Sequence, residues 1–127
     1  MFGMWVLLLW VQDFEASINE HQLDELSGDV FALTDLLDYQ TGAIVSRTLI
    51  DEESATVTLF AVDEGQTISE HTAPHDAIMQ VLDGTASVTV GDANHEVTAG
   101  ESLVFQADEP HALEGQESFK MLLTMVR

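Results

Sequence analysis

The chemistry-bearing side chains of this chain are imidazoles and carboxylates. There are five histidines, His21, His71, His75, His95 and His111, and no cysteine, so disulfides, thiolate metal sites and cysteine nucleophiles are absent by count. Imidazole can ligate a metal, pass a proton or hydrogen-bond a ligand, and its neighbours decide which. The two prolines, Pro74 and Pro110, each stand directly before a histidine, His75 and His111. No Gly-x-Ser-x-Gly elbow accompanies a Ser-His-Asp order and no glycine-rich phosphate loop occurs, so hydrolase and kinase readings have no support.

Positioning those side chains falls to short strands. Beyond Gly42 the sequence breaks into runs of β-formers separated by Gly, Asp, Asn and Glu. The runs cover 43–50, 55–62, 77–82, 85–90, 94–98, 102–105 and 119–126. Short strands at roughly ten-residue intervals, with no crossover helices between them, predict an all-β sandwich or barrel. Asp83-Gly84 and Gly91-Asp92 stand where tight hairpin turns are expected, because glycine accepts positive φ. Met79, Met121 and Met125 fall at strand spacing and read as core or pocket lining.

Ahead of the strands, residues 13–38 do not alternate, and Leu33, Leu36 and Leu37 sit at helical spacing. Ser17 and Asn19 could cap a short helix over 19–26, which Ser27-Gly28 would end. The expected organisation is an irregular, partly helical N-terminal arm over 1–41 and a barrel over 42–127. Within the arm, Met1–Val11 is apolar but far shorter than the roughly 20 residues of a bilayer span. It also lacks the basic start and cleavage site of a secretory signal, so a cytoplasmic protein without a transmembrane segment is expected. The run could be an added strand packed on the barrel, a peripheral anchor or a dimer patch.

Composition bounds the setting and the partners. Acidic residues number 23 against three basic ones, Arg47, Lys120 and Arg127, for a formal net charge of −20. Most carboxylates must therefore face solvent without a cationic partner, spread along the chain rather than gathered in a tail. Self-repulsion reaching over about 10 Å in dilute buffer shrinks to about 3 Å at 1 M salt, which is the pattern expected of proteins adapted to high salt. A field of this sign excludes ordinary phosphate-backbone binding, so nucleic acid is not an expected partner.

Gly65, five residues, His71, and then Gly84 closing the next strand resemble the first motif of the cupin superfamily. Gly100-Glu-Ser-Leu-Val-Phe followed by Pro110-His111 resembles the second, without the family's Pro-x-Gly step. The phrases His71-Thr-Ala-Pro, Val81-Leu82-Asp83-Gly84 and Phe119-Lys-Met-Leu-Leu-Thr-Met are similar to short single-domain cupins. The resemblance implies a cupin-type double-stranded β-helix, a jelly-roll barrel. It also implies one divalent metal (Zn, Ni, Mn or Fe) held by three histidines and a carboxylate, in a geometry with open positions.

His71 and His111 stand at two of those four ligand positions, whereas Ala73 and Ala77 occupy the other two. The ligand set is thus incomplete. His71 and His111 are expected to face each other across the barrel mouth. His75 could supply a third nitrogen or be an exposed loop histidine. Gln80 could offer its amide to the pocket, although alternation from Ala77 aims it at the opposite face. Glu70 and Glu114 are nearby acids in a chain rich in acids, His95 reads as a packing or surface histidine, and His21 carries no motif. The pocket would be lined by Met79, Gln80 and Phe105. Two functions follow from this set: binding of a small organic molecule, with the histidines as hydrogen-bond partners, or metal-dependent dioxygenase- or isomerase-like catalysis. The two alanines favour binding. Pairing of edge strands in a homodimer is compatible with both.

Overall fold

A computed structural model describes residues 25–127. The Met1–Val11 run, the caps at Ser17 and Asn19, and His21 lie outside the described residues. Nine strands follow the arm: β1 (Ile44–Asp51), β2 (Ala55–Val62), β3 (Thr67–His71), β4 (Asp76–Asp83), β5 (Thr85–Val90), β6 (Ala93–Thr98), β7 (Ser102–Phe105), β8 (His111–Glu114) and β9 (Phe119–Val126).

The strands form two antiparallel sheets, one in the order β1-β2-β9-β4-β7 and the other in the order β3-β8-β5-β6. Apart from the β1-β2 and β5-β6 hairpins, each connection carries the chain from one sheet to the other. One face of each sheet is apolar and the two faces close on each other. In β4 the alternation is explicit: Ala77, Met79 and Val81 are buried while Ile78 and Gln80 are exposed. The inner faces meet in a core that includes Phe60, Met79, Val88, Leu113, Phe119 and Met121. Met79, Met121 and Met125 all point into it, as their strand spacing predicts.

Two glycines expected at hairpins do different work. Gly91 and Asp92 join β5 to β6, with Val90 paired to Ala93 and a positive φ of 58° at Gly91. Gly84, in contrast, links strands of opposite sheets and is a corner rather than a hairpin turn. Its φ is 74°, and a Cβ there would stand 2.1 Å from the Ser118 carbonyl oxygen. The close approach of the β9 entry leaves room only for hydrogen.

The arm is partly helical, as the leucine spacing predicts. Glu25 and Leu26 are helical, and Leu33–Leu36 form a 3-10 turn. The turn is fixed to the outer face of the five-stranded sheet by the chain's scarce cations. Lys120 Nζ donates to Thr34 O at 2.6 Å and Arg47 Nη1 to Leu36 O at 3.0 Å. Tyr39 donates its hydroxyl proton to Asp83 Oδ2 at 2.6 Å beneath the Lys120 ammonium, which lies 5.0 Å from the ring centroid. Burial, reinforced by the Asp83 carboxylate, raises the Tyr39 phenol above its ordinary range and keeps it a donor. None of the helices among the described residues is long and apolar enough to cross a membrane.

Candidate functional site

β3 and β8 were not among the strands expected from sequence, yet they carry both motif histidines. His71 ends β3, His111 opens β8, and the two are direct cross-strand partners. They are therefore neighbours within one sheet rather than groups facing each other across the mouth. Their ring centroids are 4.3 Å apart in an edge-to-face arrangement. A register shift between Ile68 and His71 brings the pair into line. His111 shares the inward face of β8 with Leu113, and both histidines are buried, at 8% and 4% exposure.

Each ring is held in the same way. His71 Nδ1 lies 2.7 Å from Ser69 O and His111 Nδ1 lies 2.9 Å from Glu109 O, in both cases the carbonyl two residues upstream. A carbonyl can only accept, so each Nδ1 carries the proton. In the neutral ring Nε2 is then a bare acceptor. His71 Nε2 is buried and has no hydrogen-bond partner among the described residues. Burial lowers the His111 pKa below the ordinary imidazole value and the neighbouring His71 adds to this, against the opposing bond to Glu109. His111 is consequently neutral at pH 7.

Phe105 closes the site from the other sheet. Its ring stacks on His111 with centroids 4.1 Å apart and planes 13° from parallel. The flanking loops are laced together: Asp108 N donates to Ala73 O at 2.6 Å, and Ala107 N to Asp76 Oδ1 at 2.8 Å. Asp108 has a φ of 66°, a left-handed conformation that aspartate tolerates. The lacing buries Ala73 to 3% exposure.

The other side chains singled out from sequence are distributed as follows. Met79 is fully buried on the inner face of β4, and Gln80, next to it, is exposed on the outer face. Alternation is the physical reason that Gln80 does not enter the pocket. His75 is half-buried in the loop before β4, His95 is exposed on β6, and Glu70 and Glu114 are exposed. The residues that sequence reasoning missed are the two carbonyls that set the tautomers, Ser69 O and Glu109 O. A main-chain acceptor has no sequence signal beyond its distance from the histidine.

A cupin-domain profile matches residues 58–126, more than half of the chain. The chain belongs to the cupin family. Among solved structures, this cupin is similar to a conserved Streptococcus pyogenes protein of unknown function, at 35% identity and a TM-score of 0.76, with 79% of this chain and 88% of that one covered. It is similar to a cupin 2 conserved barrel domain protein of Leptotrichia buccalis, at 39% identity and a TM-score of 0.74, covering 76% of this chain and 47% of that one. A cupin superfamily protein of Desulfitobacterium hafniense shares the fold at 24% identity, with a TM-score of 0.76 and 79% and 92% coverage. No curated protein matches.

The double-stranded β-helix expected of a cupin is thus present. Its usual metal is not matched by the donor set. Among the described residues, no group of three or more His, Cys, Asp and Glu side chains converges where it could hold an ion. Ala73 and Ala77, at the two remaining ligand positions, are buried among apolar neighbours. Two imidazoles backed by Phe105 fall short of the three or four protein ligands that retain a divalent ion against water.

Proposed function

We infer that this cupin binds a small organic molecule at the His71–His111 pair. The observation that carries the reading is His71 Nε2, buried and without a partner among the described residues, beside a second imidazole whose Nδ1 is held in the same way. An unsatisfied buried acceptor costs about 1–3 kcal/mol, which a ligand donor would recover. The complementary molecule presents hydroxyl or amino hydrogens to the two Nε2 atoms and an apolar flank to Phe105. Barrels of this size have room for one small ligand. Metal-dependent catalysis, the alternative, requires ligands that the described residues do not bring together.

Nitrogen-15 NMR of the histidines, titrated with small diols, primary amines and carboxylates in parallel, tests this directly. Diols or amines should shift the Nε2 resonances of both rings and lose their effect in His71→Ala. The reading fails if no donor-bearing compound moves either resonance.

A further inference from the structure

We propose that the chain's own Met1–Val11 run docks on the outer face of the five-stranded sheet and covers an apolar band there. Strand register places Ile50, Val57, Thr124, Ile78 and Val104 in one row across β1, β2, β9, β4 and β7. Their immediate chain neighbours Phe105, Met125 and Leu123 face the core, so this row faces outward. It is apolar apart from one threonine. Ile50, Ile78 and Val104 are 38%, 36% and 57% exposed, and Val126, on the same face, is 59% exposed. The other large apolar side chains left exposed are Val30 and Phe31, in the arm that leads onto this face. Every such side chain among the described residues therefore lies on the band or on the segment approaching it.

Three observations select the occupant. The 3-10 turn of the arm is already pinned to the adjoining part of the face, by Lys120 at Thr34 O and Arg47 at Leu36 O. The chain preceding the turn is thus anchored beside the band. Residues 12–24 can span roughly 40 Å when extended, about twice the width of five strands. Finally, Met1–Val11 contains no Asp, Glu, Lys or Arg, whereas a second copy would bring its own net charge of −20 against the first. Charge therefore favours the uncharged run over a second barrel.

The sequence supplies its own probe, since the only two tryptophans, Trp5 and Trp10, lie in the run. Because there is no native cysteine, a nitroxide quencher can be attached through Val104→Cys on the band or, as a control, through His95→Cys on the opposite sheet. In the full-length protein at about 2 M KCl, where long-range repulsion is screened, tryptophan emission should be blue-shifted. The label at position 104 should quench it several-fold, and the label at 95 should leave it nearly unchanged. Ile78→Asp should shift the emission to the red while the strand signal in circular dichroism persists. Water-exposed emission, or equal quenching from both positions, overturns the proposal. Quenching that appears between labelled and unlabelled chains shows a second copy on the band and also overturns it. A blue shift that requires anionic lipid vesicles assigns the run to a membrane surface, with the same consequence.

Discussion

Phe105 and His111 are stacked 4.1 Å apart although they belong to different sheets, Phe105 to the five-stranded and His111 to the four-stranded one. The contact joins the two walls of the barrel at the candidate site. It also keeps water from one side of the imidazole, and burial is the main cause of the lowered His111 pKa.

That pKa makes stability depend on pH in a defined direction. Unfolded, His111 takes up a proton near pH 6.5, whereas in the folded protein its affinity for the proton is lower. As pH falls below about 6.5 the unfolded chain is stabilised by protonation before the folded one, so stability is lost on acidification until the folded pKa is passed. Asp63 and Glu101, whose pKa values are lowered by hydrogen bonds from Gly42 and Thr98, lose their contribution only further down, in the carboxylate range. Thermal melts between pH 7.5 and 5 should therefore fall for the wild type and flatten for His111→Gln. Equal slopes would show that His111 is not the titrating group.

Gly84 supports a second expectation. Gly84→Ala would force a Cβ against the Ser118 carbonyl at a φ of 74°, and neither backbone can yield without parting the β4–β5 corner from the entry to β9. A loss above about 2 kcal/mol is expected in denaturant melts. Gly42→Ala, at a φ of 70° with open space around it, should cost distinctly less. Similar losses in the two variants would mean that conformation alone, and not the close approach, demands glycine at position 84.

Much of this architecture is legible in the sequence, because β2, β5, β7 and β9 are uninterrupted runs of β-formers whose limits coincide with the strands observed. β3 and β8 escape the same reading. Thr67–His71 contains one aliphatic residue, and His111–Glu114 is only four residues long and follows a proline. Both strands are specified by pairing with a distant partner rather than by local composition. Their concealment misplaced the two histidines relative to each other, since motif spacing identifies which side chains belong to the site but not which strands are adjacent. Gly84 is ambiguous for a similar reason: Asp-Gly marks a turn but does not say whether the chain stays in its sheet.

The charge balance predicts a dependence on salt. Arg47, Lys120 and Arg127 all donate to main-chain carbonyls, and Arg127 also stands 3.7 Å from Asp51 at the surface. All three cations are thus engaged with the backbone, and most carboxylates, left without a cationic partner, repel one another in dilute buffer. Raising KCl from about 0.1 to 2 M shortens the screening length from about 10 Å to under 3 Å. The melting temperature should rise by about 10 °C or more, equivalent to roughly 2 kcal/mol for a domain of this size. Sodium sulfate should be compared with KCl at equal ionic strength, because sulfate also strengthens apolar burial. A melting temperature indifferent to KCl would remove high-salt adaptation as the reason for the composition.

Metal affinity can be predicted from the ligand count. His71 and His111 each keep Nε2 free of a proton when neutral, so an ion could engage both, but Ala73 and Ala77 provide nothing further. Water would have to complete the shell, and a two-imidazole site should lose its ion readily to a chelator. Protein purified without added metal should contain well under one equivalent by elemental analysis and essentially none after chelator treatment. The complementary experiment restores the missing donors. Ala73→His combined with Ala77→Glu should raise nickel or zinc affinity strongly, because it would bring the set from two protein ligands to the three or four that hold such ions. Ala77 is only 5% exposed and pairs with Phe105 and Met125, so the glutamate should also destabilise the metal-free barrel, and added ion should recover that loss. Ala73 is itself only 3% exposed, so the two single variants, Ala73→His and Ala77→Glu, apportion the packing cost between the sites. Stoichiometric, chelator-resistant metal in the wild type would show that further ligands reach the pair. Failure of the double variant to gain affinity would show that positions 73 and 77 do not project toward the imidazoles.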